Sequence, residues 1–263
     1  MVSDHLIGID AINCSCVYRR VAMNRNEIAR WHAKTNSYIQ KLEQARKIID
    51  EVRYMCCENG TAIPYVSLSG GKDSTVVYDL ALNGIGNLPA VWSDDEWWLP
   101  ETLEYIQRLQ KARHDVRQIR TNDQHTEWLH IAGDYDGIPD YAARQGWNMA
   151  LLGLRQEESN IRRMHLRQHG SIFFAQSDKM WHCNPIHNWT WKDVWAYIIS
   201  NNIDYNHAYD RLEEIVVEPE RQRIGPLAVE RVLGYGQMVI LKRGWPELFE
   251  RFCASHPEAR NYV

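Results

Sequence analysis

The 263-residue sequence has few phenylalanines (4), prolines (9) and cysteines (6), and it has no long uninterrupted run of apolar residues. A membrane-spanning helix needs about 20 consecutive apolar residues, so the sequence predicts a protein without a membrane span. The first twenty residues contain Asp4 and Asp10 and have no continuous apolar segment, so we expect no secretory signal. The sequence therefore predicts a cytoplasmic protein.

The cysteines do not form a pattern typical of secreted proteins. They occur at positions 14, 16, 56, 57, 183 and 253, and adjacent or single cysteines do not resemble a disulfide framework. Directly adjacent cysteines also suit an iron–sulfur cluster poorly, and His182, Cys183 and His187 lack a tetrahedral zinc spacing. Reduced thiols are expected.

The net charge is weakly negative, at -4 with a pI of about 6.3. No overall positive field would draw such a protein to nucleic acid, although a local basic cleft remains compatible with this charge. Hydrophobic residues make up 44% and charged residues 24%, which is a globular composition. The length suits one large α/β domain or one domain with a small appendage.

The N-terminal part is predicted to be one long helix from Asn24 to about Glu58. Asn24 and Glu27 have the spacing of a capping box, and apolar residues then recur at helical spacing at positions 28, 31, 38, 42, 45, 48, 52 and 55. This stripe either packs on the protein's own sheet or forms the seam of a homodimer.

Beyond Gly60 the pattern alternates between strands and helices. Strands are predicted near residues 63–68, 88–92, 115–119 and 148–153, and helices near 73–83, 100–111 and 191–200. This order predicts an α/β fold with a doubly wound parallel sheet, which binds ligands beyond the carboxyl ends of its strands. Residues 121–145 are predicted to be a loop. The predicted division is an N-terminal segment (1–59), a nucleotide-binding domain (60–200) and a helical C-terminal tail (201–263).

The strongest motif lies between the first strand and its helix, and consists of Ser69, Gly70, Gly71, Lys72, Asp73 and Ser74. Two glycines let backbone N–H groups approach a polyphosphate, and the helix N-terminus behind them favours negative charge. Lys72 adds a cation, and Ser69 and Ser74 add hydroxyl donors. These residues predict a nucleotide-binding loop.

This loop differs from a Walker A loop, which has Ser or Thr directly after the lysine. Asp73 occupies that position. A carboxylate among phosphates is repulsive unless a cation lies between them, so Asp73 predicts bound Mg²⁺.

Further charged residues follow the fourth strand. Gly153 ends that strand, so Arg155 is expected over the same crevice, where a guanidinium can bind phosphate or sulfate oxygens. The alternative is that Arg155 only pairs with an adjacent glutamate. Glu158 is predicted to orient Arg155, to bind a ribose hydroxyl or to face solvent, and Arg162 lies one turn further on.

The loop resembles the PP-loop of the N-type ATP pyrophosphatases. The chain is most similar to the branch that holds phosphoadenosine-phosphosulfate (PAPS) reductases, the small subunit of ATP sulfurylase and DNA-phosphorothioation enzymes. The resemblance covers roughly Lys41 to Asp210. It rests on Lys-Leu-Glu-Gln-Ala at 41–45, Val-Trp-Ser-Asp at 91–94, Pro-Glu-Thr at 100–102, Gly-Leu-Arg-Gln-Glu-Glu-Ser at 153–159, Asn-Pro-Ile at 184–186 and Trp-Thr-Trp-Lys-Asp-Val-Trp at 189–195.

The resemblance implies an adenine nucleotide α-hydrolase fold, which is Rossmann-like, and ATP or PAPS as the nucleotide. It implies attack on the α-phosphorus of ATP and adenylylation of an acceptor such as sulfate, a tRNA base or DNA. Asp94 is then expected to shape the adenosine pocket, with Asp95 and Glu96 as rivals. Arg221 and Arg223 either close over the anionic ligand or remain a solvated pair.

One family feature is missing from the sequence. PAPS reductases carry their nucleophilic cysteine in a C-terminal Glu-Cys-Gly-Leu-His motif, whereas the tail here has only Cys253 three residues before His256. Adenylyl transfer, in sulfur metabolism or nucleic-acid thiolation, is therefore the main hypothesis. Its alternatives are a PAPS reductase and a catalytically idle nucleotide-binding module.

Overall fold

The structure is a computed structural model, and it describes residues 23–94, 97–112, 114–119, 137–225, 227 and 235–263. Within these ranges no helix is both long and apolar enough to cross a membrane.

The centre of the fold is a six-stranded sheet in the order β3-β2-β1-β4-β6-β5. Its strands are β1 (Pro64–Ser67), β2 (Ala90–Ser93), β3 (Val116–Ile119), β4 (Met149–Leu151), β5 (Ile172–Ala175) and β6 (Met180–Cys183). All neighbouring strands are parallel except β5, which pairs antiparallel with β6 at the edge. The predicted doubly wound α/β fold is confirmed.

Ten α-helices lie in the described ranges. They are α1 (Arg25–His32), α2 (Asn36–Arg53), α3 (Lys72–Gly84), α4 (Pro100–Lys111), α5 (Ile138–Arg144), α6 (Asn160–His169), α7 (Trp191–Ser200), α8 (Ala208–Ile215), α9 (Tyr235–Gly244) and α10 (Pro246–Ser255). The predictions for α3, α4 and α7 are confirmed to within a residue or two.

The strand order places a switch point at β1. Strand β1 pairs with β2 on one side and with β4 on the other, so the connections leave these strands in opposite directions. The loops that follow β1 and β4 therefore flank one crevice at the carboxyl edge of the sheet, which is where doubly wound sheets bind ligands.

The prediction of one long N-terminal helix is wrong. Thr35 interrupts it, because its side-chain oxygen accepts a hydrogen bond from the N–H of Tyr38 and starts a second helix, α2. The Asn24 and Glu27 capping box is confirmed at the start of α1. The stripe holds for α2, where Ala45, Ile48 and Val52 are buried, but it fails on α1, where Trp31 is 63% exposed.

The prediction of a loop over residues 121–145 is also wrong at its C-terminal end. Residues 138–144 form α5, which begins with Ile138 and Pro139; proline is well suited to the first turn of a helix because it lacks an N–H. Residues 120–136 lie outside the described ranges. The hairpin of β5 and β6 was not predicted.

One large apolar core joins the N-terminal helices, the sheet and the C-terminal helices. It contains Ile49 and Val52 of α2, Val76 of α3, Trp195 of α7 and Phe252 of α10, all of them less than 3% exposed. The predicted helical tail is thus confirmed as a set of helices that share the apolar core of the sheet domain. The predicted division at residues 59 and 200 and the homodimer stay predictions.

Candidate functional site

The Gly-Gly turn after β1 is held from outside its own segment. Gly70 has φ +71, and a Cβ at this residue would lie 2.9 Å from Cγ2 of Thr102. The Gly70 carbonyl accepts a hydrogen bond from Nδ2 of Asn206 at 3.1 Å, and the same Nδ2 contacts Oγ1 of Thr102 at 2.8 Å. Only glycine therefore suits this position.

Helix α3 begins directly after this turn and has no side-chain cap among the described residues. Helices α1, α2, α6 and α7 have one, from Asn24, Thr35, Ser159 and Thr190, whereas α4, α5, α8 and α10 also lack one. One N–H of the first turn of α3 is satisfied, because the N–H of Lys72 donates to Oη of Tyr209 at 3.1 Å. The N-terminus of α3 thus retains backbone donors for an anion.

The two serines of the loop are hydrogen-bonded within it. Their hydroxyl oxygens lie 3.0 Å apart, and the Ser74 hydroxyl also lies 3.0 Å from the carbonyl of Gly71. The N–H of Gly71 donates to Oγ of Ser69 at 3.3 Å. Ser69 is exposed, whereas Ser74 is buried, so Ser69 is the hydroxyl that solvent reaches.

Lys72 is buried, with 1% of its surface exposed. Its ammonium donates to the carbonyl of Gln222 at 3.1 Å and lies 3.4 Å from Oδ2 of Asp73. Burial lowers the pKa of Lys72 below the usual lysine value, and the Asp73 carboxylate opposes that shift. The ammonium of Lys72 is therefore buried beneath the loop. It is covered by residues 219–225, which we call the strap.

Asp73 is the counter-ion of two buried cations. Its Oδ1 accepts a hydrogen bond from Nε of Arg155 at 2.7 Å, and its Oδ2 faces Lys72. Burial alone would raise the pKa of Asp73, but Lys72 and Arg155 outweigh this effect and hold the pKa below its ordinary value. Asp73 is therefore ionised, as its expected role requires.

Arg155 lies at the predicted place, beyond the end of β4, and is 2% exposed. Besides Asp73, its guanidinium contacts a second carboxylate, because Nη1 donates to Oε2 of Glu157 at 2.6 Å. Burial would lower the pKa of Arg155, but the Asp73 and Glu157 carboxylates raise it. Arg155 thus pairs with an adjacent glutamate and also faces the loop, and its binding of phosphate or sulfate stays a prediction.

Gly153 brings this segment against the start of α3. A Cβ at Gly153 would lie 2.8 Å from both the carbonyl carbon of Asp73 and the backbone nitrogen of Ser74. Any larger residue would push the first turn of α3 away from the end of β4, so the glycine sets the distance between the two halves of the site.

The side chain of Glu158 is 9% exposed, and its oxygens are bonded within the protein. Its Oε2 accepts a hydrogen bond from the backbone N–H of Arg155 at 2.9 Å, its Oε1 pairs with Arg162, and its backbone carbonyl accepts from Nη2 of Arg223 at 2.6 Å. Of the predicted roles, orienting the Arg155 segment is the one these contacts support. Arg221 is exposed on the strap.

Asp94 lies beyond the end of β2 and accepts a hydrogen bond from Nε2 of Gln118 at 2.6 Å. Its rivals Asp95 and Glu96 lie outside the described ranges.

Sequence reasoning missed four residues that hold the loop: Thr102, Asn206, Tyr209 and Gln222. Thr102 belongs to the Pro-Glu-Thr motif, which was a usable signal for a position near the crevice. The other three lie in the tail and belong to no motif, so only the folded chain reveals them.

The structure also limits which ligands are available to the expected Mg²⁺. In the described ranges, no three His, Cys, Asp or Glu side chains are grouped to hold a metal ion. Asp73 offers one carboxylate, and both of its oxygens face cations. One carboxylate plus phosphate oxygens is an ordinary Mg²⁺ environment, so the site fits Mg²⁺ only together with a bound polyphosphate.

The chain belongs to the family described by the phosphoadenosine phosphosulfate reductase domain, whose family model matches residues 63–225. Among curated proteins it is 27% identical over 200 residues to an adenosine 5'-phosphosulfate reductase of Lysinibacillus sphaericus, covering 70% of this chain and 82% of that protein. It is 26% identical over 189 residues to sulfate adenylyltransferase subunit 2 of an Enterobacter species, covering 59% and 63% of the two chains.

A solved structure is similar in fold. The phosphoadenylyl-sulfate (PAPS) reductase from Candida auris, in a phosphate complex, aligns with a TM-score of 0.52 at 17% identity over 80% of this chain and 98% of that chain.

An uncharacterized protein of Methanocaldococcus jannaschii is 26% identical over 233 residues, which is 83% of this chain but 54% of that protein. The chain thus spans about half the length of this relative.

Proposed function

We propose that this protein is an adenine nucleotide-binding enzyme that attacks the α-phosphorus of ATP, releases pyrophosphate and adenylylates an acceptor, in sulfur metabolism or nucleic-acid thiolation. The observation that carries the proposal is the uncapped N-terminus of α3, which lies at the switch point of the sheet beside Lys72 and Arg155. Backbone donors and two cations around one crevice favour a polyphosphate.

The donors that remain support specific roles. An ammonium has three N–H donors, and Lys72 directs two of them at Asp73 and Gln222, which leaves one for the leaving pyrophosphate. Nη2 of Arg155 has no partner among the described residues, and it is assigned to the α-phosphate or the acceptor. Catalysis of this kind is positioning and charge neutralisation.

Mg²⁺, held by Asp73 and the phosphates, would supply charge neutralisation on the leaving group. The acceptor forms a bond to the α-phosphorus while the bridging bond to pyrophosphate breaks. The remaining proposed nucleotide-binding residues are Ser69, Gly70, Gly71, Ser74, Asp94, Gly153, Glu158, Arg162, Arg221 and Arg223. Glu158 and Arg162 act by holding the Arg155 segment, whereas Arg221 and Arg223 lie on the strap.

The alternative is reduction of a sulfonucleotide, and the named reductase among the relatives favours it. It needs a reactive thiolate. Cys253 is buried, and burial raises the pKa of its thiol, which opposes thiolate formation. An idle nucleotide-binding module is the third possibility, and it predicts binding without turnover.

Product analysis from α-labelled ATP, with each candidate acceptor supplied, tests the proposal. We expect AMP or adenylyl product and pyrophosphate, with little ADP. Lys72→Ala removes a charge-assisted contact of roughly 1.5–3 kcal/mol, which corresponds to about 10- to 150-fold weaker triphosphate binding. Lys47→Ala, at an exposed position on α2, is the matched control and leaves binding unchanged.

Two outcomes contradict the proposal. An activity that forms only ADP and survives Lys72→Ala would assign the cleavage to another phosphate and another site. Release of sulfite from a sulfonucleotide in the presence of a thiol donor would favour the reductase.

A further inference from the structure

A second pocket lies beside the phosphate loop. Its volume is about 270 Å³, and it is bounded by the start of α4, α8, the strap and α9. Its apolar wall includes Leu99, Leu212, Ile224, Ile240, Leu241 and Trp245. Pockets for small organic molecules have this apolar lining and volumes from ~300 Å³ upwards, so the pocket suits a ligand of one or two rings.

Positive charge borders the pocket. Arg221 and Arg223 line it, and both are exposed, which places them at its solvent edge. Arg223 donates to a backbone carbonyl, that of Glu158, and neither arginine forms an ion pair with a carboxylate of the described residues. Their charge is therefore available to an anion.

No carboxylate of the described residues lines the pocket, and Glu101, which contacts the lining residue Trp245, is already paired. Glu101 accepts a hydrogen bond from Nε1 of the pocket residue Trp245 at 2.9 Å, and it lies 3.4 Å from Nη2 of Arg211. The balance at the pocket thus favours a negatively charged ligand.

The strap is a wall common to the pocket and the phosphate loop. Ile224 lines the pocket, and its backbone oxygen is 3.7 Å from the position that a Cβ on Gly71 would take. Gln222, two residues earlier, accepts the hydrogen bond from Lys72. The backbone of the strap would therefore separate a ligand in the pocket from the phosphate loop.

We infer that this pocket binds a small organic anion, with an apolar ring body against α4, α8 and α9 and a carboxylate, sulfonate or phosphate at Arg221 and Arg223. Bare sulfate would gain nothing from the apolar wall, whereas a ring gains by leaving water. The further role of this anion as the acceptor rests on the proposed function; its binding does not.

Titration calorimetry without nucleotide tests the inference with three probes: 1-naphthalenesulfonate, the neutral 1-naphthalenemethanol and inorganic sulfate. We expect saturable 1:1 binding of the sulfonate, weaker binding of the alcohol and none of sulfate. Arg221→Gln weakens sulfonate binding about 2- to 5-fold, the range for an exposed ion pair, and leaves the alcohol unchanged. Arg167→Gln, at an exposed position on α6 outside the pocket, changes neither.

Variants that place a larger side chain in the pocket provide a second test. Ile240→Trp is expected to abolish sulfonate binding, and Ile161→Trp, at a position 81% exposed on α6, is its control. Gly225→Leu adds a side chain at a second lining position, where a Cβ meets nothing within 4 Å, and it is the test to use if Ile240→Trp does not fold.

The inference is overturned if the sulfonate does not bind, if both filling variants bind it normally, or if the sulfonate and the alcohol bind equally and Arg221→Gln has no effect. Sulfonate binding in a protein that does not adenylylate any acceptor would keep the pocket and remove its acceptor role. ATP titration of the same samples separates that case from loss of the nucleotide site.

Discussion

Asp73→Asn tests the charge arrangement of the site directly. In the folded protein Asp73 is 17% exposed at its side chain, and it faces Arg155 and Lys72, whose side chains are 2% and 1% exposed. Removing one partner from a buried ion pair costs about 3–5 kcal/mol, because the other charge stays buried without compensation. Asp73 is partly exposed, and the asparagine amide that replaces it still accepts one hydrogen bond. Both effects favour the lower end of this range, about 3 kcal/mol.

This loss is large enough to measure by thermal unfolding. For a chain of this size, 1 kcal/mol corresponds to a change in Tm of roughly 2–4 °C, so we expect the Tm of the nucleotide-free variant to fall by about 6–12 °C. A saturating, non-hydrolysable ATP analogue should restore more than half of the loss, since phosphate charge then compensates the two cations.

Asp79→Asn on the same helix is the matched control. Asp79 accepts hydrogen bonds from Oη of Tyr197 at 2.8 Å and Nδ2 of Asn83 at 2.9 Å, which are neutral donors, so its loss should be small and independent of nucleotide. Two results would contradict this prediction: a loss of Tm in Asp73→Asn no larger than in Asp79→Asn, or a loss that a bound nucleotide leaves unchanged.

A close glycine contact, the pH dependence of stability and the tail cysteine provide three more tests. Gly153→Ala should lower the free energy of unfolding by about 1–3 kcal/mol and weaken ATP binding, because its Cβ would lie 2.8 Å from the backbone of Asp73. Gly236→Ala, where a Cβ meets nothing within 4 Å, should have neither effect. Equal effects of the two variants in calorimetry would contradict the close approach at Gly153. Because the pKa of Asp73 is lowered in the folded state, its ionised carboxylate stabilises the fold at pH values above the unfolded pKa of 3.8, and this stabilisation is lost as pH falls through the lower folded pKa. The difference in free energy of unfolding between wild type and Asp73→Asn should therefore be constant from about pH 5 to 8. A difference that disappears within this range would show that another group titrates. Cys253→Ser should leave nucleotide turnover unchanged in the product assay, and complete loss with the fold preserved would revive the reductase.

The local elements of the site could be predicted because their determinants are contiguous in sequence. The run from Ser69 to Ser74 contains its own turn, cation and helix start, and the apolar strand that ends at Gly153 predicts where Arg155 lies. Alternation of strands and helices was sufficient for the parallel sheet. Thr35 was missed because its capping effect competes with an apolar periodicity that continues across it.

The partners of the charged groups could not be predicted, because they depend on distant contacts. The sequence predicted Asp73 as a metal ligand and Arg155 as a phosphate ligand. In the fold the two also pair with each other, with Nε of Arg155 2.7 Å from Oδ1 of Asp73. Nothing local to Lys72 indicates that a carbonyl from Gln222 will cover it. The edge hairpin of β5 and β6 escaped detection because its two strands follow each other without a helix between them, outside the alternation that identified the other strands.

The contacts that hold the phosphate loop have a consequence for the order of events during synthesis. Asn206, Tyr209 and Gln222 reach the loop from 136, 137 and 150 residues further along the chain. A ribosome adds residues at about 5–20 per second, so the completed β1–α3 unit waits many seconds for these partners. A nascent chain that ends before Asn206 can build the central strands but lacks the groups that shape the loop. Competence to bind a nucleotide should thus arise late, once the C-terminal helices have left the ribosome and docked.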